Sequence, residues 1–201
     1  MFRKIVIDIN TDLLAIRSGA TLARFSDIPT MSQNIYIYPK ASALLSAKVD
    51  SIQILGGPPV EGGSHNHWRM FFIIDPSTAF CFDMSVGGDG RTGVLIIQDV
   101  PYPNRDDMEK PFAIVPLSFT TTHTIQDIIT SLTKHSMECY RFTPEGDGCR
   151  HWIRQVVRMW EAEGRLPAGS RSKLDESILF FWTSPTESRE SPPAVGDFYS
   201  N

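Results

Sequence analysis

Apolar and polar positions change rhythm three times along the chain. From Ser51 onward, "SIQIL", "HWRMFFII", "AFCFDMSV", "GVLIIQDV" and "FAIVPLSF" are runs of strand length, rich in β-branched and aromatic residues and separated by Gly, Pro, Asp and Asn. They predict five strands in a meandering antiparallel sheet. The period then lengthens. Thr124-Ile-Gln-Asp127 is a capping-box sequence, and Ile125, Ile128, Ile129 and Leu132 share one helical face. A second helix is expected to begin near Cys149, where Trp152, Ile153, Val156, Val157 and Trp160 form an apolar stripe closed by Gly164 and Pro167. "SILFFW" (Ser177 to Trp182) reads as a last strand or a helical turn.

The two ends have weaker patterns. "FRKIVIDI" and "NIYIY" look like short strands, and "DLLAIRSGATLARF" has near-helical spacing broken by Gly19. Residues 1–50 are therefore taken as an N-terminal elaboration of the same domain, and 51–183 as its α+β core. Residues 184–201, "SPTESRESPPAVGDFYSN", have the Ser, Pro and Glu content of a flexible tail.

Bulk properties narrow the class. With 201 residues, 41% of them hydrophobic and 21% charged, the chain suits one globular domain. A formal charge of -4 supplies no drive toward nucleic acid or an anionic membrane, so neither is an expected partner. Asp8 interrupts the first apolar run, so neither a signal peptide nor a transmembrane segment is expected. Three cysteines are an odd, sparse set that fits a reducing compartment, and a cytoplasmic location is expected. Oligomeric state is left open.

The chemistry centres on "PEGDGCRHWIRQVVRMW", Pro144 to Trp160. Gly146-Asp147-Gly148 has the composition of a helix start with Asp147 as N-cap, which places Cys149 in the first turn. The unpaired N–H groups and positive dipole end there favour a thiolate. A thiol nucleophile needs a base, and His67, at the beginning of an apolar strand, is the candidate. His151 is two residues from Cys149 on the same helix and points about 200° away, so it is assigned a structural role. Asp83, between Phe82 and Met84, is the carboxylate best placed to orient the imidazole. That depends on the hairpin through "DPST": a three-residue loop puts Asp83 opposite Arg69 on the His67 face, and a four-residue loop turns it away. An Asp83–Arg69 ion pair is the alternative. Arg69, Trp68 and Gly148 are the expected substrate contacts.

His65-x-His67 also sets two imidazoles on one strand face, which together with an acid is a metal-binding pattern; the site is nonetheless read without a metal and without a cofactor. "GGDGRTG" (Gly87 to Gly93) lacks the helix and lysine of a phosphate cradle and is taken as a connection, and Cys81 and Cys139 as core packing.

A strand beginning His-Trp, further strands, and then a Cys-x-His-Trp helix start together resemble the permuted papain fold of lecithin:retinol acyltransferase-like proteins. The resemblance covers about Ser51 to Gly164. It implies that His67 takes the place of the strand histidine and Cys149 that of the nucleophile. Asp83 stands where the family usually has a second histidine, and Gly148 where it usually has asparagine before the nucleophile. The chain also resembles an uncharacterised group of fungal proteins with "NHWR", "DM" and "GCRHW" landmarks, which implies a family and no reaction. The expected activity is a cysteine-dependent hydrolase or acyltransferase acting on an ester, thioester or amide of a small soluble metabolite. The alternatives are an inert papain-like binding or structural module, and a peptidase acting on a modifier-protein tail.

Overall fold

A computed structural model describes residues 34–59, 65–102 and 110–200. In chain order its elements are β1 (Ile35–Ile37), α1 (Pro39–Ser42), β2 (Ser51–Pro59), β3 (Asn66–Asp75), β4 (Thr78–Val86), β5 (Gly93–Pro101) and β6 (Ala113–Leu117). There follow α2 (Ile125–Lys134), β7 (Tyr140–Arg141), α3 (Cys149–Ala162), α4 (Ser170–Ile178), β8 (Phe180–Ser184), β9 (Glu187–Glu190) and β10 (Asp197–Phe198).

The fold is α+β. Its main sheet has six strands in the order β1-β5-β4-β3-β2-β6, antiparallel except that β1 runs parallel to β5. The expected meander holds from β2 to β5 and then breaks. β1 occupies the outer edge of β5, with Ile35 beside Leu95, so β6 crosses back to the free edge of β2. "NIYIY" supplies β1; "FRKIVIDI" and "DLLAIRSGATLARF" lie outside the described residues.

Four helices replace the expected two among the described residues. The additional ones have little amphipathic signal: α1 is a single turn, and α4 buries only Ser170, Leu174 and Ile178. Both readings of "SILFFW" are realised, since Ile178 ends α4 and Phe180 begins β8. At α2 the capping box is complete, with Thr124 Oγ1 accepting the Asp127 N–H at 3.1 Å and the Asp127 carboxylate accepting the Thr124 N–H at 2.9 Å.

Period-two alternation sorts the sheet into two faces. Trp68, Met70 and Phe72 of β3, with Phe80, Phe82 and Met84 of β4, join the apolar stripes of α2 and α3 in the main core. Phe71, Ile73, Ala79 and Cys81 form a separate cluster on the other face.

Residues 184–201 are expected to be a flexible tail; their described part, 184–200, is built into the domain. β9 pairs with β8, β10 pairs with β7, and the Tyr199 N–H bonds the Cys139 carbonyl at 3.0 Å. Among the described residues no helix is long and apolar enough to cross a membrane.

Candidate active site

The β3–β4 register settles the face of Asp83. An irregularity between Ile73 and Asp75 sets Met70 opposite Phe82 and Phe71 opposite Cys81. Continuing that register places Asp83 across from Arg69, on the face that carries His67. His67 Nε2 lies 2.9 Å from Asp83 Oδ1. The Cys149 sulfur lies close enough to the His67 ring to act on its charge state.

Charge organises this trio. Burial alone would push the His67 pKa down, but the Asp83 carboxylate, by charge and hydrogen bond, and the Cys149 sulfur together push it up to about 10. His67 is therefore an imidazolium at neutral pH. Burial would raise the Asp83 carboxyl, yet the charge and hydrogen bond of His67, the Arg69 charge and Ser85 hold it below the usual carboxylate range. Arg69 thus acts on Asp83 alongside His67 instead of competing for it.

Cys149 is the first residue of α3 and is 7% exposed. The N-cap is Gly148, with no side-chain cap, so Asp147 does not hold the position expected of it. Its carboxylate turns instead to His65, whose Nδ1 lies 2.8 Å from Asp147 Oδ1. The loop before it closes on itself, since the Thr143 N–H bonds the Asp147 carbonyl and the Gly146 N–H bonds the Thr143 carbonyl, each at 2.9 Å. Gly148 has φ +152°, and a Cβ there would sit 2.7 Å from Tyr140 Oη and 3.1 Å from its Cε1. A side chain at this position meets Tyr140 on a backbone that L-residues rarely adopt. Tyr140 Oη donates to the Gly148 carbonyl at 3.0 Å and accepts from the Gly196 N–H at 3.1 Å, tying the helix start to the tail.

A cleft of about 120 Å³ opens beside the thiol. Gly148, Cys149 and Arg150 form one wall, and Ser191, Pro192 and Ala194 of the tail another. His65, Asn66 and Asp147 close the remainder. The first-turn N–H groups of α3 have no side-chain partner and suit an oxyanion.

Of the expected substrate contacts, Gly148 lines the cleft. Trp68 is 0% exposed and packs in the main core, because the residue after His67 on a strand faces the opposite side. It cannot touch a substrate. Arg69 is not part of the cleft lining; its side chain lies 5.9 Å from the Phe71 ring. His151 points away from Cys149, to Tyr140 Oη at 3.2 Å and Gln155 at 3.1 Å. Cys81 is fully buried and its thiol is pushed up to about 12 by burial and by Asp83. His65 and His67 contact different carboxylates, and among the described residues no group of three His, Cys, Asp or Glu is arranged to hold a metal ion.

Sequence reasoning missed Arg150. Buried in the first turn of α3, it donates to the carbonyls of Ile178 at 3.1 Å, Phe180 at 3.4 Å and Ser191 at 2.6 Å, fastening the tail across the cleft. Its helical phase was the available signal, since Ile153 and Val157 lie three and seven residues further on the buried stripe. The His65–Asp147 pairing and the Tyr140 contacts join distant segments and leave no local pattern.

A family model described as a domain of unknown function, DUF7770, matches residues 56–199. No curated protein and no solved structure matches the chain.

Proposed function

This chain belongs to the DUF7770 family, and we propose that it is a cysteine-dependent hydrolase or acyltransferase with a permuted papain-like arrangement, acting on an ester, thioester or amide of a small soluble metabolite. The observation that carries this is the His67 ring, held between the Asp83 carboxylate and the Cys149 sulfur at an uncapped helix start. Cys149 attacks the substrate carbonyl as the thiolate, and the first-turn N–H groups of α3 hold the developing oxyanion. His67 gives its proton to the leaving group as the carbon–heteroatom bond breaks, which yields an acyl-thioester on Cys149. Asp83 keeps the imidazole oriented and favours its charged form. The cleft, about 120 Å³ against the roughly 300 Å³ or more of pockets for drug-sized ligands, favours a small acyl group over an extended peptide.

Native alkylation tests the reading without knowledge of the substrate. Iodoacetamide near neutral pH should modify Cys149 much faster than Cys81 or Cys139, and His67→Ala should slow that reaction. A second reading, an inert binding module on the same scaffold, draws on the low exposure of Cys149. It becomes the better account if Cys149 is the slowest of the three thiols, or if removing His67 leaves its rate unchanged.

A further inference from the structure

The site contains a second imidazole–carboxylate pair with no part in forming the acyl-enzyme. His65 and His67 are two residues apart where β3 begins, and Asp147 and Cys149 are two residues apart where α3 begins, so the two segments meet twice. His67 meets Cys149, and His65 Nδ1 meets Asp147 Oδ1 at 2.8 Å, with both side chains of this second pair about 30% exposed (30% and 29%). With Nδ1 beside the Asp147 carboxylate, Nε2 is the ring nitrogen left for an acceptor. No other described residue hydrogen-bonds His65 Nε2, and His65 and Asp147 line the cleft together with Cys149. His67 is engaged by Asp83 and influenced by Cys149, and it is not part of that lining.

The cleft that leads to an acyl group on Cys149 is lined by His65 and not by His67. We propose that His65, oriented by Asp147, is the catalytic base of the second half-reaction and takes the proton of a water or alcohol that attacks the Cys149 acyl-thioester. The inference rests on the thiol-enzyme reading above. In the step, the acceptor O–H proton goes to His65 Nε2, its oxygen bonds the acyl carbonyl carbon, and the carbon–sulfur bond breaks with its electron pair returning to Cys149. The proton then returns through solvent to His67, which restores the starting state of the site. His67 thus serves the leaving group, His65 the acceptor, and Asp147 is a positioning residue.

Burst kinetics with para-nitrophenyl acetate separate the two halves. The wild type should release a Cys149-dependent burst of nitrophenolate and then turn over. His65→Gln should keep the burst amplitude and rate, which also reports an intact fold and thiol, while steady-state turnover falls on the order of 100-fold or more. Acetyl-Cys149 should accumulate in intact-protein mass spectra. Free imidazole should restore turnover to His65→Gly, and Asp147→Asn should lower steady-state turnover without changing the burst. An unchanged steady-state rate in His65→Gln, or burst and turnover falling by the same factor, overturns the assignment and leaves both proton transfers to His67. Nitrophenolate release that persists in Cys149→Ala, or no acetyl-Cys149 in His65→Gln while it still releases nitrophenolate, overturns the thiol reading itself and this inference with it.

Discussion

Gly148→Ala puts a methyl group into the tightest point of the site. The backbone there has φ +152°, for which an L-residue pays about 1–2 kcal/mol. The new Cβ would stand 2.7 Å from Tyr140 Oη, an overpacking contact that costs about 1–3 kcal/mol. Together these predict a loss of about 2–5 kcal/mol. In a domain of this size that lowers the thermal midpoint by roughly 4–20 °C. Differential scanning calorimetry measures it, and Tyr140→Phe shows where it comes from. The phenylalanine alone removes the bonds to the Gly148 carbonyl and the Gly196 N–H and should cost about 1–3 kcal/mol. It also removes the atom that the methyl group strikes. The double variant should therefore be more stable than the sum of the two single losses predicts, by about 1 kcal/mol or more. If Gly148→Ala stays within about 0.5 kcal/mol of wild type, or if the two losses simply add, the helix start is not clamped by Tyr140 as described.

Other consequences are measurable on the same protein. The folded-state pKa of His67, about 10 against an ordinary 6.5, means that its contribution to stability is fully present below pH 6.5 and lost as pH rises through 10. Urea midpoints should thus decline between pH 7 and 10 more steeply in wild type than in His67→Gln. Asp83→Asn removes the main charge that keeps His67 protonated, so iodoacetamide labelling of Cys149 near neutral pH should slow; an undiminished rate would remove Asp83 from the site. Arg150→Met releases the carbonyls of Ile178, Phe180 and Ser191 and should cost at least about 2 kcal/mol while speeding proteolytic cleavage in residues 191–196. His151→Gln should cost about 1 kcal/mol and leave Cys149 labelling unchanged, because its ring bonds Tyr140 and Gln155.

Local signals carried much of the fold into the sequence. β2 to β5 announce themselves by apolar runs between turn residues, α2 by its Thr124–Asp127 box and α3 by an apolar stripe, and all depend on neighbours within a few residues. The crossing of β6 to β2 depends on β1 having taken the edge of β5, which no local pattern encodes. The tail misled for a related reason. Its Ser, Pro and Glu composition has little to bury, but its order comes from backbone pairing with β7 and from the Arg150 guanidinium. In the site, helical phase was enough to turn His151 away from Cys149. The face of Asp83 hung on one irregular residue in the β3–β4 hairpin. Period-two alternation, applied to Trp68 as strictly as to His67, would have kept the tryptophan out of the substrate contacts.

The tail wall also has a consequence in time. Arg150 and Ser191 are 41 positions apart, so at the ordinary pace of about 5–20 residues per second a ribosome adds Ser191 roughly 2–8 s after Arg150. His67, Asp83 and Cys149 are all polymerised before the residues that cover the cleft. A chain stopped by a premature terminator between Leu179 and Ser191 therefore keeps all three groups and never gains the wall.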